Sequence, residues 1–165
     1  MNAEFKPAVP ETPGSWEGSG QDWQFKKADG TYAKGEWIGS NGDWYYISAD
    51  GKMKFDWFLD ENGKWYMLNK DEGARFGAAL YGWYFEKQDG KWYFMNPSDT
   101  AMLVGWQFIN GKWYYLTQHN DAPTYVGDNI NGWIYNGKSK PCGSMYVNEV
   151  TPDGYQVGSD GAWIK

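Results

Sequence analysis

Trp106, Trp113 and Tyr115 form a pattern that recurs along this chain. Trp16 and Trp23, Trp37 and Trp44, Trp57 and Trp65, and Trp83 and Trp92 repeat the pair. Two residues after the second tryptophan stand Phe25, Tyr46, Met67 and Phe94 in turn. Large rings gathered around one space form a cage with a definite chemistry. A cation over an aromatic face is attracted by the ring quadrupole, by about 0.5–2 kcal/mol per contact. A quaternary ammonium suits such a cage because it has no N–H to satisfy. Rings also stack on sugar faces, but a sugar site needs polar groups placed around them to fix hydroxyls. The sequence does not locate such groups.

Other chemistries find little material. The single histidine, His119, sits in the loop-like stretch TQHND, which argues against a triad or a His-rich metal site. The single cysteine, Cys142, lies between Lys140-Pro141 and Gly143-Ser144 and reads as a loop thiol. One cysteine builds neither an intramolecular disulfide framework nor a Cys-based metal site. The 21 carboxylates fall mostly in turns, where Asp has a structural role, and NKDEGARF reads as a solvated turn. The expectation is a non-enzymatic chain with no cofactor and no metal.

The elements that position the rings follow from composition and repetition. Aromatics make up 20% of 165 residues, there are 22 glycines, and the mean hydropathy is −0.77. Leu, Ile and Val are scarce, so burial must come from Trp, Tyr, Phe and Met. The segments SWEGSGQDWQF (15–25), EWIGSNGDWYY (36–46), DWFLDENGKWYM (56–67), GWYFEKQDGKWYF (82–94) and GWQFINGKWYY (105–115) align with one another. Their period of roughly 20 to 27 residues lies in the range of stacked repeats. Asn41-Gly42, Asn62-Gly63, Asp89-Gly90 and Asn110-Gly111 are turn pairs that tolerate positive φ. Each unit is therefore expected to be a β-hairpin plus a loop. The loops carry Gly51-Lys52-Met53, Thr100-Ala101-Met102 and Gly143-Ser144-Met145, with Met as gap filler between units. One hairpin is marginal in water, whereas several stacked can bury a shared aromatic seam. The expected fold class is all-β, a solenoid of stacked β-hairpins.

The ends look different from the middle. Residues 1–14 contain FKPAVPETPG and read as a Pro-rich linker, with the repeat domain covering 15–165. The segment GDNINGWIY keeps only the second half of a unit, and the tail VTPDGYQVGSDGAWIK keeps a turn and Tyr155. Degenerate terminal units are expected to act as caps. A net charge of −6 argues against nucleic acid and anionic membrane surfaces as partners. No run is long enough to span a bilayer. The opening MNAE lacks the basic and apolar regions of a signal peptide, so an export signal is expected to lie outside this chain.

Within a strand, residues i and i+2 share a face. Trp113 and Tyr115 therefore point one way and Tyr114 the other. The two tryptophans of a hairpin are expected to converge, with the third aromatic of the next hairpin closing the slot.

The units GWQFINGKWYYL and EWIGSNGDWYYISADGKM resemble the choline-binding repeats of bacterial cell-wall-binding modules. The resemblance covers nearly all of the chain after the Pro-rich stretch. It implies a left-handed solenoid of hairpins with choline between consecutive ones. Each choline would be held by two tryptophans of one unit and the third aromatic of the next. Carried over, the slots are Trp16, Trp23 and Tyr46, then Trp37, Trp44 and Met67, then Trp57, Trp65 and Phe94. The fourth is Trp83, Trp92 and Tyr115, and the fifth Trp106, Trp113 and Tyr135. Met67 departs from the aromatic pattern, although a thioether can line a methyl-rich ligand. The spacers near 70–81 and 96–104 are longer than the family's usual one.

The resemblance further implies an exported protein, secreted or held at the surface of a Gram-positive wall. The module would bind phosphocholine on teichoic acid, with several weak sites gaining roughly 10²–10⁴-fold by effective concentration. Two alternatives stand beside this one. A carbohydrate (glucan)-binding repeat domain would take a polysaccharide, and a structural or adhesin rod would need no small ligand. A homodimer formed through one end of the rod is also left open.

Overall fold

The computed structural model describes residues 6–118, 133–135 and 138–165. Among them are twelve strands in six two-stranded antiparallel sheets and no helix. The hairpins are β1 (Gly14–Ser19) with β2 (Asp22–Lys27) and β3 (Glu36–Ser40) with β4 (Asp43–Ile47). They continue with β5 (Asp56–Leu59) and β6 (Trp65–Leu68), then β7 (Gly82–Glu86) and β8 (Lys91–Met95). The last two are β9 (Gly105–Ile109) with β10 (Lys112–Leu116) and β11 (Trp133–Tyr135) with β12 (Lys138–Lys140). The protein is an all-β repeat stack of hairpins, as the repeated segments predict.

Turn chemistry accounts for the tightest hairpins. Ser40 pairs with Asp43 and Ile109 with Lys112, leaving two-residue loops. Asn41 and Gly42 have φ of 52° and 80°, and Asn110 and Gly111 have 50° and 85°. Two successive positive φ values define the type I′ turn, whose twist matches that of the flanking strands. The β5–β6 and β7–β8 loops are longer, and there only Gly63 and Gly90 of the turn pairs take positive φ.

The loop after each hairpin supplies a short third segment. Ile47 bridges Met53, Leu68 bridges Ala79, Met95 bridges Met102 and Leu116 bridges Met145. Three of these segments, and the tail, also reach the preceding hairpin. The amide N–H of Met53 donates to the Trp23 carbonyl at 2.8 Å, and that of Ala79 to Trp44 at 2.7 Å. Met145 donates to Trp92, and Trp163 to Trp113, each at 2.8 Å. The backbone of the second tryptophan is thus the acceptor that ties one repeat to the next. The β11–β12 hairpin falls inside one of these connections, between Leu116 and Met145, rather than adding a further unit to the series. The rest of GDNINGWIY, and His119, lie outside the described residues.

Two compact units make up the chain, Phe5–Tyr81 with Pro97–Ala101 and Gly82–Asn96 with Met102–Lys165. The first is centred on Phe25, Ile38, Ile47, Met53 and Phe76. In the second, Phe94, Ile109 and Leu116 form one cluster and Tyr115, Tyr146 and Val157 another. Part of the Pro-rich stretch runs beside β3. Thr12 donates its N–H to the Gly39 carbonyl at 2.8 Å, and the Gly39 N–H donates to Thr12 Oγ1 at 3.0 Å. A Cβ at Gly39 would fall 1.9 Å from the Pro10 carbonyl oxygen, so only glycine permits this approach.

Loop methionines and glycines fit as pairs. A Cβ on Gly77 would lie 2.5 Å from Met53, one on Gly143 2.2 Å from Met102, and one on Gly161 2.4 Å from Met145. In one loop the sizes are exchanged: Ala79 takes the methionine's place and Thr100, at φ 65°, the glycine's. Gly143→Ala should cost about 1–3 kcal/mol by overpacking, beyond the backbone strain measured by Gly111→Ala. Gly111 has nearly the same φ but nothing near its Cβ position. Ala79→Met should likewise destabilise, and adding Thr100→Gly should recover most of the loss. Urea unfolding of the four variants checks both statements.

Candidate functional site: aromatic cages at the hairpins

Register decides which rings meet. Trp37 pairs with Tyr46, Trp83 with Phe94, Trp106 with Tyr115, Trp57 with Met67 and Trp16 with Phe25. The first tryptophan therefore faces the residue two beyond the second one, on the same hairpin. That residue packs beneath it: Trp37–Tyr46 at 5.2 Å, Trp83–Phe94 at 5.0 Å and Trp106–Tyr115 at 5.2 Å. The two tryptophans of a hairpin do converge. Their centroids lie 6.5 Å apart at 80° for Trp37–Trp44, 6.3 Å at 86° for Trp57–Trp65, and 6.4 Å at 90° for Trp83–Trp92. Each pair makes a nearly right-angled corner.

The third wall differs from the one expected. Tyr45, not Tyr46, meets Trp16, at 5.1 Å. Tyr66, not Met67, meets Trp37 at 4.9 Å, while Met67 is wholly buried under Trp57. Tyr114, not Tyr115, meets Trp83 at 5.0 Å. The reason is strand alternation. The second tryptophan and the residue two beyond it point toward their own cage. The residue between them points to the opposite face and reaches the preceding hairpin. Phe94 sits against Trp83 of its own hairpin in the second unit. The side chain of Tyr135, expected at the fifth slot, lies outside the described residues. There the Trp106–Trp113 corner is completed by Tyr155 and Trp163 of the C-terminal segment.

Three of the tryptophan pairs line clefts. The one at Trp106 and Trp113 holds about 400 Å³ and is also lined by Asp153, Tyr155 and Trp163. The one at Trp83 and Trp92 holds about 340 Å³, with Tyr114, Met145 and Asp160. The first, at Trp16 and Trp23, is smaller, about 160 Å³. Gly73, Ala74 and Phe76 of the 69–78 loop line it, together with Ser40, Asn41, Tyr45 and Met53. That loop is held by Arg75, which donates to both carboxylate oxygens of Asp43 at 2.9 and 3.0 Å.

Tyr66 is fixed through its hydroxyl, which donates to Asp60 Oδ2 at 3.0 Å. Burial, and then the Asp60 bond, pushes the Tyr66 phenol well above its ordinary range. Burial and the nearby Asp43 carboxylate raise Tyr45 as well. Both walls are neutral at physiological pH and present ring faces. The residues that sequence reasoning missed are Tyr45, Tyr66, Tyr114, Tyr155 and Trp163, with Met53 and Met145 as linings and Asp153 and Asp160 as carboxylates. A tyrosine directly after the second tryptophan in four of the five repeats was the available signal for the first three.

Two near-perpendicular indoles and a phenol meeting at one junction present several ring faces to a common space. The cell wall binding repeat of the choline-binding type matches residues 35–53 and 104–118. CbpJ from Streptococcus pneumoniae TIGR4 is similar at 30% identity and TM-score 0.65, over 92% of this chain and 41% of that one. Choline binding protein F from the same species, in the presence of a peptidoglycan analogue, gives 30% and 0.54, over 94% and 48%. The multimodular pneumococcal cell wall endolysin from phage Cp-1, complexed with choline, gives 25% and 0.51, over 95% and 38%. The chain thus spans less than half the length of each. Among curated proteins none matches. The chain carries cell wall binding repeats of the choline-binding type, and its structural neighbours are choline-binding proteins.

Tyr114→Leu should weaken tetramethylammonium binding at the Trp83–Trp92 corner, by roughly 2- to 30-fold for one lost cation–π wall. Tyr115→Leu should leave that corner intact and lower the melting temperature instead. Indole NMR shifts and thermal unfolding separate the two.

Proposed function

We propose that the chain is a non-catalytic module that attaches an exported protein to the wall by caging the choline of phosphocholine-bearing teichoic acid. The carrying observation is the corner of two near-perpendicular tryptophans closed by a tyrosine from the following hairpin. Three ring faces surround one space without a dedicated hydrogen-bond donor, which suits N(CH3)3+. The choline-complexed endolysin among the similar structures supports the ligand, and the family's wall-binding repeats support the setting. Several corners on one chain meet many cholines on one polymer, so weak sites combine by effective concentration. Trp83, Trp92 and Tyr114, and Trp37, Trp44 and Tyr66, are the sets assigned here to choline. Trp57 and Trp65 offer a third corner of the same shape.

A second reading applies to the smallest cleft. Ser40 and Asn41 stand beside Trp16 and Trp23, giving polar groups next to rings as a sugar site requires. The Ser40 oxygen already accepts the Trp16 indole N–H at 3.1 Å.

Titration of intrinsic tryptophan fluorescence with choline, tetramethylammonium and glucose oligomers decides between these. Saturation by both cations and not by sugars is the expected result, with Trp83→Ala removing part of the signal. A response to sugars alone would move the protein to the glucan-binding class. No response to any of them would leave the rings as structural glue.

A further inference from the structure

The loop after β6 is an enlarged form of the loop after β4. In the shorter one the Ser48 N–H donates to the Lys52 carbonyl and the Gly51 N–H to the Ser48 carbonyl, both at 2.9 Å. In the longer one the Asn69 N–H donates to the Ala78 carbonyl at 2.8 Å and the Gly77 N–H to the Asn69 carbonyl at 2.7 Å. Gly51 and Gly77 have φ of 86° and 87°. The two loops therefore share their ends and differ in what lies between. Residues 70–76 stand where the shorter loop has only Ala49 and Asp50.

This insertion reaches back to the two earlier hairpins. Arg75 grips both carboxylate oxygens of Asp43, at the first residue of β4. Gly73, Ala74 and Phe76 line the cleft of Trp16 and Trp23 in the first hairpin. Phe76 is itself buried and packs on Phe55 at 5.0 Å, which anchors the insertion beside the cleft. The cleft holds about 160 Å³, against about 340 Å³ at Trp83 and Trp92. Both have a tryptophan pair, a middle tyrosine and a methionine among their linings, so these do not account for the difference. The insertion does: Gly73 and Ala74 occupy room beside the indoles and bring no ring face that could attract a cation.

We propose that residues 70–76 are an autoinhibitory plug that narrows the Trp16–Trp23 cleft against methylated cations, with Arg75 on Asp43 as the clasp that keeps it there. This rests on the cation-cage reading of the corners and adds that one corner is held partly shut by the chain itself. Arg75 touches no ligand in this scheme and acts by positioning the loop. Its side chain is 48% exposed and that of Asp43 12%. A half-exposed ion pair contributes little net free energy, so the clasp can be removed without unfolding the hairpins it joins.

The test uses the whole chain and tetramethylammonium as probe. The indole resonances of Trp16, Trp37 and Trp83, each assigned through a Trp→Phe variant, report three corners separately. One variant exchanges residues 70–76 for Ala-Asp, the dipeptide of the shorter loop, which preserves Asn69, Gly77 and Ala78. Uncovering a ring face should strengthen binding at Trp16 by roughly 2- to 30-fold, with Trp83 unchanged. Arg75→Gln, which leaves Phe76 in place, should act in the same direction by up to about fivefold. The Trp37 resonance shows whether the first unit stays folded, and where the exchanged loop disrupts it, Arg75→Gln decides. Unchanged affinity at Trp16 in the folded variants would overturn the proposal. Weaker binding there would also overturn it, because the insertion would then be a supporting wall. If tetramethylammonium shifts no indole in any of these proteins, the cage reading itself fails. If it shifts Trp83 and neither variant gains at Trp16, only the plug fails.

Discussion

A two-stranded hairpin has two faces and can bury neither by itself. The repeats here resolve that with one alternation. In β4, Trp44 and Tyr46 turn toward the hairpin's own cage, and Tyr45 turns back to the hairpin before it. In β10, Trp113 and Tyr115 face their own cleft while Tyr114 packs on Trp83. Tyr45, Tyr66 and Tyr114 go to the junction with the previous hairpin, while the indoles of their own hairpins face the next one. The cage is thus a consequence of stacking, and the same rings serve cohesion and recognition. Edge-to-face ring pairs of this kind contribute about 0.5–1.5 kcal/mol each beyond area burial, enough to fix the corner without closing it.

Backbone ties set the spacing that makes the alternation work. The N–H groups of Met53, Ala79, Met145 and Trp163 all seek the carbonyl of a second tryptophan. This holds the loop segment over the preceding hairpin and places its side chain at the floor of a junction. Methionine fills that floor where the next loop has glycine; alanine serves where the next loop has threonine. The exchange at Ala79 and Thr100 keeps volume roughly constant, the condition under which cores accept substitution. It leaves the Thr100 hydroxyl buried without a hydrogen-bond partner, a cost that glycine avoids.

Much of this was legible in the residues. Asn-Gly pairs located the tightest turns, and the tryptophan spacing located the strands and the converging indoles. Residues i and i+2 were correctly placed on one face. What local pattern could not supply was which neighbour each face meets. Tyr46 and Tyr115, expected to close the preceding hairpin's cage, pack on Trp37 and Trp106 of their own hairpins, and which neighbour each face meets depends on long-range backbone bonds. The closing residues of the last cleft were hidden for a related reason. Tyr155 and Trp163 lie outside any hairpin strand and reach the site through the bridges Val157–Trp163 and Tyr114–Ala162. The β11–β12 hairpin interrupts the period between Leu116 and Met145, and a period count does not reach the tail residues beyond it.

The floors of the clefts then differ in a graded way along the chain. Met53 lines the first, Met145 the one at Trp83, and Trp163 the last. A thioether contributes polarizable packing, whereas an indole adds another cation-attracting face. The polar neighbours differ too, from Ser40 and Asn41, through Asp160 with its lysine, to Asp153 with the Trp106 indole N–H. Repetition therefore conserves the two-tryptophan corner, which the fold needs for its own cohesion. The middle tyrosines of the strands add a third wall, and the loop and tail segments add the floor through side chains whose backbone ties the hairpins together. The clefts differ in these floor and rim side chains, which change from one loop to the next while the backbone tie stays the same.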